Sequence, residues 1–101
     1  MPAVSVIIVN YNGGNYPAQA LESLARQTFR DFEVIFLDNA STDGSADDLP
    51  IAGLPAFRLI NQEDNLGFAR GNNVAAAEAS GRWLALLNPD AFAEPDWLEQ
   101  F

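Results

Sequence analysis

Four short runs of apolar residues are separated by polar turns and by segments with helical periodicity. Most members of these runs are β-branched or aromatic or leucine, which is typical of strands buried in a parallel sheet. The runs lie at residues 4–9, 32–37, 57–60 and 83–87. We therefore predict four strands, and we expect the last of them to be buried on both faces.

The segments between the strands predict helices. Apolar residues recur at helical spacing over about 16–27, where a proline falls in the first turn. An alanine-rich segment predicts a second helix over about 67–80, with Gly81 in the C′ position that follows a helix. Capping residues, proline and acids predict two shorter helices, one over 45–49 and one that begins near Glu94.

The alternation of strands and helices predicts a single α/β domain over residues 1–101, with three α/β/α layers and a mostly parallel sheet. In such a sheet the carboxyl ends of the strands meet at one edge, where ligands bind. Each predicted strand ends in an amide or acid side chain: Asn10, Asp38 with Asn39, Asn61 and Asn88. We therefore expect a polar edge that carries the functional site.

The chain has 14 acidic and five basic residues, and its formal net charge is −9. This charge argues against nucleic acid or an anionic membrane as the main partner. A diphosphate ligand would need a divalent cation and helix N-termini. The absence of cysteine and histidine excludes disulfides, thiol nucleophiles and imidazole acid-base chemistry. With no leader pattern and no long apolar run, a cytoplasmic location is the default expectation.

Carboxylates are thus the strongest candidates for chemistry. Asp90 follows the last strand behind Pro89, which ends strand pairing and stiffens the turn. If Asp38 and Asp43 lie at the same edge, mutual repulsion favours a shared hard cation such as Mg2+ or Mn2+. The alternative is that Asp90 is only a turn or N-cap residue. Tyr11, in the first loop, either stacks on a nucleobase or covers the core.

Five short motifs, in this order and spacing, resemble the nucleotide-binding half of family 2 glycosyltransferases of the GT-A fold. They are Val4 to Asn12, Gln27 to Glu33, Asp38 to Ser45, Asn65 to Asn73, and Ala79 to Asp90. The resemblance covers essentially all of the chain. It implies a truncated nucleotide-diphospho-sugar transferase-like domain whose acceptor-binding half and catalytic base lie beyond Phe101.

The resemblance implies roles for nine positions. Asp90 ends a motif like Asp-x-Asp and is implied to bind the metal, Mg2+ or Mn2+, that holds the donor diphosphate. The implied donor nucleotide-binding residues are Val9, Asn10, Tyr11, Asp38, Asn39, Gly67, Asn72 and Asn88. The chain departs from the family pattern at three of them, because Asn39 and Asn88 stand in place of aspartates and Asn72 in place of an arginine.

The implied activity is metal-dependent transfer of a sugar from a nucleoside-diphosphate donor to an acceptor hydroxyl. The Asp-Asn, Gly-Phe-Ala and Asn-Pro-Asp motifs resemble the rhamnosyltransferase-like branch, which implies dTDP-rhamnose as donor. The acceptor would be a glycan or a lipid-linked sugar of cell-surface polysaccharide biosynthesis, met in the cytoplasm or by peripheral association with the inner face of the membrane. We expect these residues alone to be nearly inactive, with an uncovered apolar face that could drive self-association.

Two other functions stay open. A dinucleotide-binding oxidoreductase domain would also place glycines after its first strand, but residues 12–17 lack the G-x-G-x-x-G pattern. A non-catalytic glycosyltransferase-like scaffold module is consistent with the asparagines that replace aspartates. The acids Glu94, Asp96 and Glu99 are attributed to a helix N-terminus rather than to a catalytic base.

Overall fold

The computed structural model describes residues 2–100. This part of the chain contains one four-stranded sheet. The strands are β1 (Val4–Asn10), β2 (Phe32–Asp38), β3 (Phe57–Asn61) and β4 (Trp83–Leu86), in the sheet order β3-β2-β1-β4. All three pairings between them are parallel. The carboxyl ends of the strands therefore meet at one edge, as the sequence predicts.

The two central strands account for the longest apolar runs. β1 is buried along its whole length, and β2 is buried except at Glu33. Helix α1 (Tyr16–Ala25) packs on one face of the sheet, and helix α2 (Phe68–Ala77) packs on the other, where Ala75 joins the same buried cluster as Ile7. The predicted three-layer α/β architecture is confirmed. Between residues 2 and 100, no helix has the length and apolar content that a membrane crossing requires.

β4 is an edge strand, so the prediction that it is buried on both faces is wrong. Within the described chain it pairs with β1 alone. Trp83, Leu84 and Leu86 are 59%, 51% and 58% exposed, and Ala85 is the buried residue of the strand. An apolar run indicates a strand, but its burial depends on which elements pack beside it, so the pattern could not distinguish an edge from the centre.

The short helix predicted over 45–49 does not form. Its residues make a turn and bends, because the Asp43 carboxylate accepts the N–H of Ser45 at 2.9 Å and Asp48 has a φ of 50°. Side-chain capping of a turn competes with helix formation, and a left-handed residue interrupts a right-handed helix.

The prediction of an α-helix that begins near Glu94 is also wrong. The chain makes a turn and then a three-residue 3-10 helix, Leu98–Gln100. The Gln27 side chain forms hydrogen bonds with the backbone of this segment. Its Nε2 donates to the Glu94 carbonyl at 2.6 Å, and its Oε1 accepts the Leu98 N–H at 2.9 Å. The predicted helix extended to Phe101, which lies outside the described residues.

Gly81 does not end helix α2, which stops at Ala77 with Glu78 as its C-cap. A Cβ on Gly81 would lie 2.6 Å from the backbone nitrogen of Ser5 and 2.7 Å from its Oγ. The Gly81 N–H donates to that same Oγ at 2.8 Å. Glycine is therefore required here by close approach to β1, rather than by the left-handed conformation that a C′ residue needs.

Glu33 forms hydrogen bonds at the amino ends of β1 and β2, on the side of the sheet away from the carboxyl ends of the strands. Its Oε2 accepts hydrogen bonds from Ser5 Oγ at 2.5 Å and from the N–H and Oγ of Ser80 at 2.7 and 3.0 Å. Partial burial alone would raise the pKa of Glu33, but the hydrogen bonds from Ser5, Ser80 and Gly81 outweigh it. The net pKa lies below the ordinary value of 4.5.

We expect the stability of the protein to depend on pH through Glu33. Because its pKa is lower in the folded state than in the unfolded chain, the carboxylate stabilises the fold above the unfolded pKa, and this contribution is lost as pH falls through the folded pKa. Urea midpoints of the protein and of Glu33→Gln, measured from about pH 6 to about pH 3, should therefore converge at the acid end. A gap that stays constant over that range would contradict the role given to Glu33.

Candidate functional site

Two loops at the carboxyl edge of the sheet form one unit, the β1–α1 loop (residues 11–15) and the loop after β2 (residues 39–45). Two hydrogen bonds of 2.8 Å join them, from Asn12 N–H to Ser41 Oγ and from Thr42 N–H to Asn12 Oδ1. A third, also of 2.8 Å, joins the Asn39 N–H to the carbonyl of Asn10 at the end of β1. Each loop thus satisfies polar groups of the other, which fixes their relative position.

Asn10 and Asp38 lie beneath these loops. Asn10 Nδ2 donates to Asp38 Oδ1 at 3.0 Å and to Ser45 Oγ at 2.9 Å. Asp38 also accepts the N–H of Ser41 at 3.0 Å and its Oγ at 2.7 Å. These bonds hold Ala40 at a φ of 63°, a conformation that residues with a Cβ rarely adopt. Both side chains are buried, so they support the loops from below.

The Asp43 carboxylate ties the two loops together at the surface. Its Oδ2 accepts the Gly14 N–H at 3.0 Å and its Oδ1 accepts the Ser45 N–H at 2.9 Å. Hydrogen bonds from the Ser45 side chain, the Ser45 backbone and Gly14 lower the pKa of Asp43 below its ordinary value of 3.8. Asp38 and Asp43 are therefore occupied within the loops, and no group of three or more acidic side chains in residues 2–100 could hold a metal ion. The structure therefore does not place Asp38, Asp43 and Asp90 so that the three could share one cation.

A cavity of 790 Å3 lies between these loops, the start of α2 and the turn after β4. Six of the nine predicted site residues line it: Val9, Tyr11, Asn39, Gly67, Asn88 and Asp90. The other three do not. Asn10 and Asp38 lie under the loops, and Asn72 Nδ2 donates to the Phe68 carbonyl of its own helix at 3.1 Å.

Tyr16 and Phe68 also line the cavity, and sequence reasoning missed them. Like Tyr11 they are exposed, so three aromatic rings border one hollow. The available signal was position, since both residues begin a helix directly after a polar loop. Exposed rings around a cavity favour a flat ligand that can stack.

The charge of the cavity wall is unusual. Asp90 is the only charged side chain that lines the cavity in the described part of the chain. Helices α1 and α2 begin at this wall, and no side-chain hydrogen bond caps either of them. In α1 the Tyr16 N–H donates to the Gly13 carbonyl and Pro17 has no N–H, so the N-terminus with several N–H groups to offer is that of α2. Free N–H groups at helix N-termini carry partial positive charge and bind anions. One carboxylate in the same cavity as the N-terminus of α2 suits an anion that binds together with a cation.

Asp90 lies in a turn that is anchored on both sides. Before it, the Leu87 N–H donates to the Ile7 carbonyl at 3.0 Å, and after it the Ala93 N–H donates to Ser23 Oγ at 3.0 Å. The carboxylate itself is exposed. An exposed carboxylate oxygen in a fixed turn fits a hard divalent cation whose remaining ligands are phosphate oxygens and waters.

A parallel α/β sheet with a cavity outside the carboxyl ends of its strands, together with the likeness to solved transferase structures, defines the class: an α/β transferase domain of the GT-A type. The chain belongs to a family described as Glycosyl transferase family 2, whose profile matches residues 5–101. The family expected from the sequence motifs is thereby confirmed.

Chondroitin synthase from Escherichia coli is 36% identical over 101 residues, which cover 98% of this chain and 15% of that protein. The crystal structure of S. aureus TarS 1-349 in complex with UDP-GlcNAc matches with a TM-score of 0.89 and 29% identity, covering 97% of this chain and 29% of that one. Mannosyltransferase PcManGT from Pyrobaculum calidifontis, in complex with GDP-Man and Mn2+, matches with a TM-score of 0.77 and 29% identity, covering 91% and 28%. The chain spans less than a third of the length of each of these proteins.

Proposed function

We propose that this chain supplies the donor site of a glycosyltransferase and binds a nucleoside-diphosphate sugar together with Mg2+ or Mn2+. The observation that carries the proposal is the cavity that Asp90 lines together with the uncapped N-terminus of α2. A diphosphate needs positive charge, which helix N-termini and a cation on Asp90 would provide. The likeness to TarS with UDP-GlcNAc and to PcManGT with GDP-Man and Mn2+ supports the same ligand class.

In this proposal the nucleobase lies against Val9 and stacks on Tyr11, whose ring is half exposed. Asn39 and Gly67 form the facing wall, and Asn88 lies beside Asp90 on the diphosphate side. Two of the remaining predicted residues, Asn10 and Asp38, contribute by holding the loops in place. Asn72 contributes through helix α2, because its amide bonds within that helix.

The chain's own residues bind and orient the donor in this scheme. When bound, the cation provides Lewis-acid stabilisation of the departing diphosphate as an acceptor hydroxyl attacks the anomeric carbon. Deprotonation of that hydroxyl needs a general base near the sugar. Glu94, Asp96 and Glu99 do not line the cavity, so we assign the base to none of them, and residues 1–101 alone are expected to transfer sugar very slowly.

The finer proposals are a dTDP-rhamnose donor, a glycan or lipid-linked acceptor, and action in the cytoplasm at the inner face of the membrane. The similarity of the Asp-Asn, Gly-Phe-Ala and Asn-Pro-Asp motifs to the rhamnosyltransferase-like branch supports the donor. The likeness to chondroitin synthase supports a glycan acceptor. The net charge of −9 argues against nucleic acid, and the exposed apolar residues of β4 are a surface through which self-association could occur.

Calorimetric titration with thymidine and uridine diphosphates, with and without Mn2+, tests the proposal. We expect heat of binding only when Mn2+ is present, and tighter binding of the thymidine nucleotide. Titration of Mn2+ alone is the control for cation binding without nucleotide. Absence of heat with both nucleotides would overturn the proposal in favour of a scaffold module, and NADH binding with fluorescence enhancement would favour an oxidoreductase.

A further inference from the structure

Both polar ends of the Asn39 side chain form hydrogen bonds with the loop between β3 and α2. The residue is 2% exposed although it borders the cavity. Its Nδ2 donates to the Gly67 carbonyl at 3.1 Å, and its Oδ1 accepts the Leu66 N–H at 3.3 Å. Both ends of one amide thus bond to consecutive residues between β3 and α2, and this pair of contacts fixes the orientation of the amide.

The contact needs an amide rather than a carboxylate. The Gly67 carbonyl also accepts the Gly71 N–H at 3.0 Å, so two donors converge on one oxygen at the start of α2. An ionised carboxylate at position 39 could still accept the Leu66 N–H, but it would place a negative oxygen beside the Gly67 carbonyl oxygen. Carboxylates are acceptors only, so that contact would become repulsive.

Helix α2 also packs directly against this amide. A Cβ on Gly71 would lie 3.0 Å from Asn39 Nδ2 and 2.9 Å from Val9 Cγ1. The first turn of α2 is therefore seated on Asn39 and on the end of β1. That turn carries Phe68 and begins at Gly67, and both residues line the cavity. The position of this wall relative to Tyr11 depends on the Asn39 amide.

We propose that Asn39 is a positioning residue, which holds the Leu66–Phe68 wall of the nucleotide pocket and does not read the nucleobase with its own amide. The inference rests on the proposed donor-binding function and names how position 39 serves it. Two consequences follow. Loss of the amide loosens the wall even in the protein without ligand, and it weakens binding of different nucleoside diphosphates by the same factor.

The test is Asn39→Asp, which keeps the shape of the side chain and removes the donor. In the protein without ligand, amide hydrogen exchange of residues 62–70 at neutral pH should become about 10-fold faster than in the wild type. Binding of thymidine and uridine diphosphates with Mn2+ should weaken by a common factor of about 10. Asn61→Asp, which adds the same charge at the exposed end of β3 outside the cavity, is the matched control and should change neither quantity.

Acid pH provides a readout that general destabilisation would not give. A protonated aspartic acid regains an O–H donor for the Gly67 carbonyl. Exchange of residues 62–70 in Asn39→Asp, corrected for the intrinsic effect of pH on exchange, should return toward the wild-type rate as pH is lowered. The same ratio for Asn61→Asp should stay flat. In the wild type, the side-chain NH2 protons of Asn39 should exchange more slowly than those of an exposed asparagine.

The possible outcomes separate the two proposals. Unchanged exchange in Asn39→Asp, or fast side-chain exchange of Asn39 in the wild type, would overturn the inference. So would a variant that loses one nucleotide and keeps the other, because that result requires direct reading of the base. If the wild type binds neither diphosphate while exchange in the variant is accelerated, the donor-site function fails and the contact between Asn39 and the wall is supported.

Discussion

Asp90→Asn is expected to weaken Mn2+-dependent binding of a nucleoside diphosphate roughly 100-fold, which corresponds to about 2.7 kcal/mol. Asp90 is the only charged side chain on the described wall of the cavity. A neutral amide keeps the shape of the side chain and one oxygen, but it loses the charge that attracts a hard cation. Since a bound cation contributes several kcal/mol to the stabilisation of phosphoryl charge, the loss should be large.

The matched control is Asp96→Asn, which removes the same charge from an exposed position six residues further along. Asp96 does not line the cavity, and its loss should leave the binding constant within about twofold, because exposed charges are screened by salt. Calorimetry with and without Mn2+ measures both variants. Equal affinity of Asp90→Asn and the wild type, with the same dependence on Mn2+, would contradict the proposed role of Asp90 as a metal ligand.

Gly81→Ala is expected to lower the free energy of unfolding by about 3 kcal/mol, the upper end of the cost of inserting a methyl group into packed structure. A Cβ at this position would lie 2.6 Å from the Ser5 nitrogen and 2.8 Å from the Val4 carbonyl carbon. Both atoms belong to β1, one of the two central strands, which is buried throughout. Backbone atoms in such a strand cannot move away without disturbing its pairing with β2 and β4.

Gly14→Ala provides the comparison that isolates steric contact. Gly14 has a φ of 63°, and nothing lies within 4 Å of a Cβ built there. That variant should lose about 1 kcal/mol, because its only cost is the left-handed conformation. Urea unfolding measures both changes. If the two alanine variants were equally stable, Gly81 would not be constrained by its contact with β1.

The residues themselves were enough to predict the fold class and the edge of the sheet at which the cavity lies. The β-branched composition of β1 and β2 and the helical spacing in α1 predict parallel strands with helices between them, and a polar residue follows each predicted apolar run. Periodicity records local preference, so it located the elements well. It located their ends less well, because α2 ends at Ala77, and Gly81 is explained by its close approach to β1 rather than by the end of a helix.

Tertiary structure alone decided the roles of the polar residues at that edge. Asn39, Asp38 and Asp90 look alike in the sequence, as polar side chains that follow strands. In the fold Asp38 is covered by a loop, Asn39 is covered by the first turn of α2, and Asp90 is left exposed in the cavity. The physical reason is that a hydrogen bond between residues far apart in the chain depends on the relative position of whole elements. Spacing along the sequence cannot show which of several equivalent donors and acceptors are used within the protein and which stay free for a ligand.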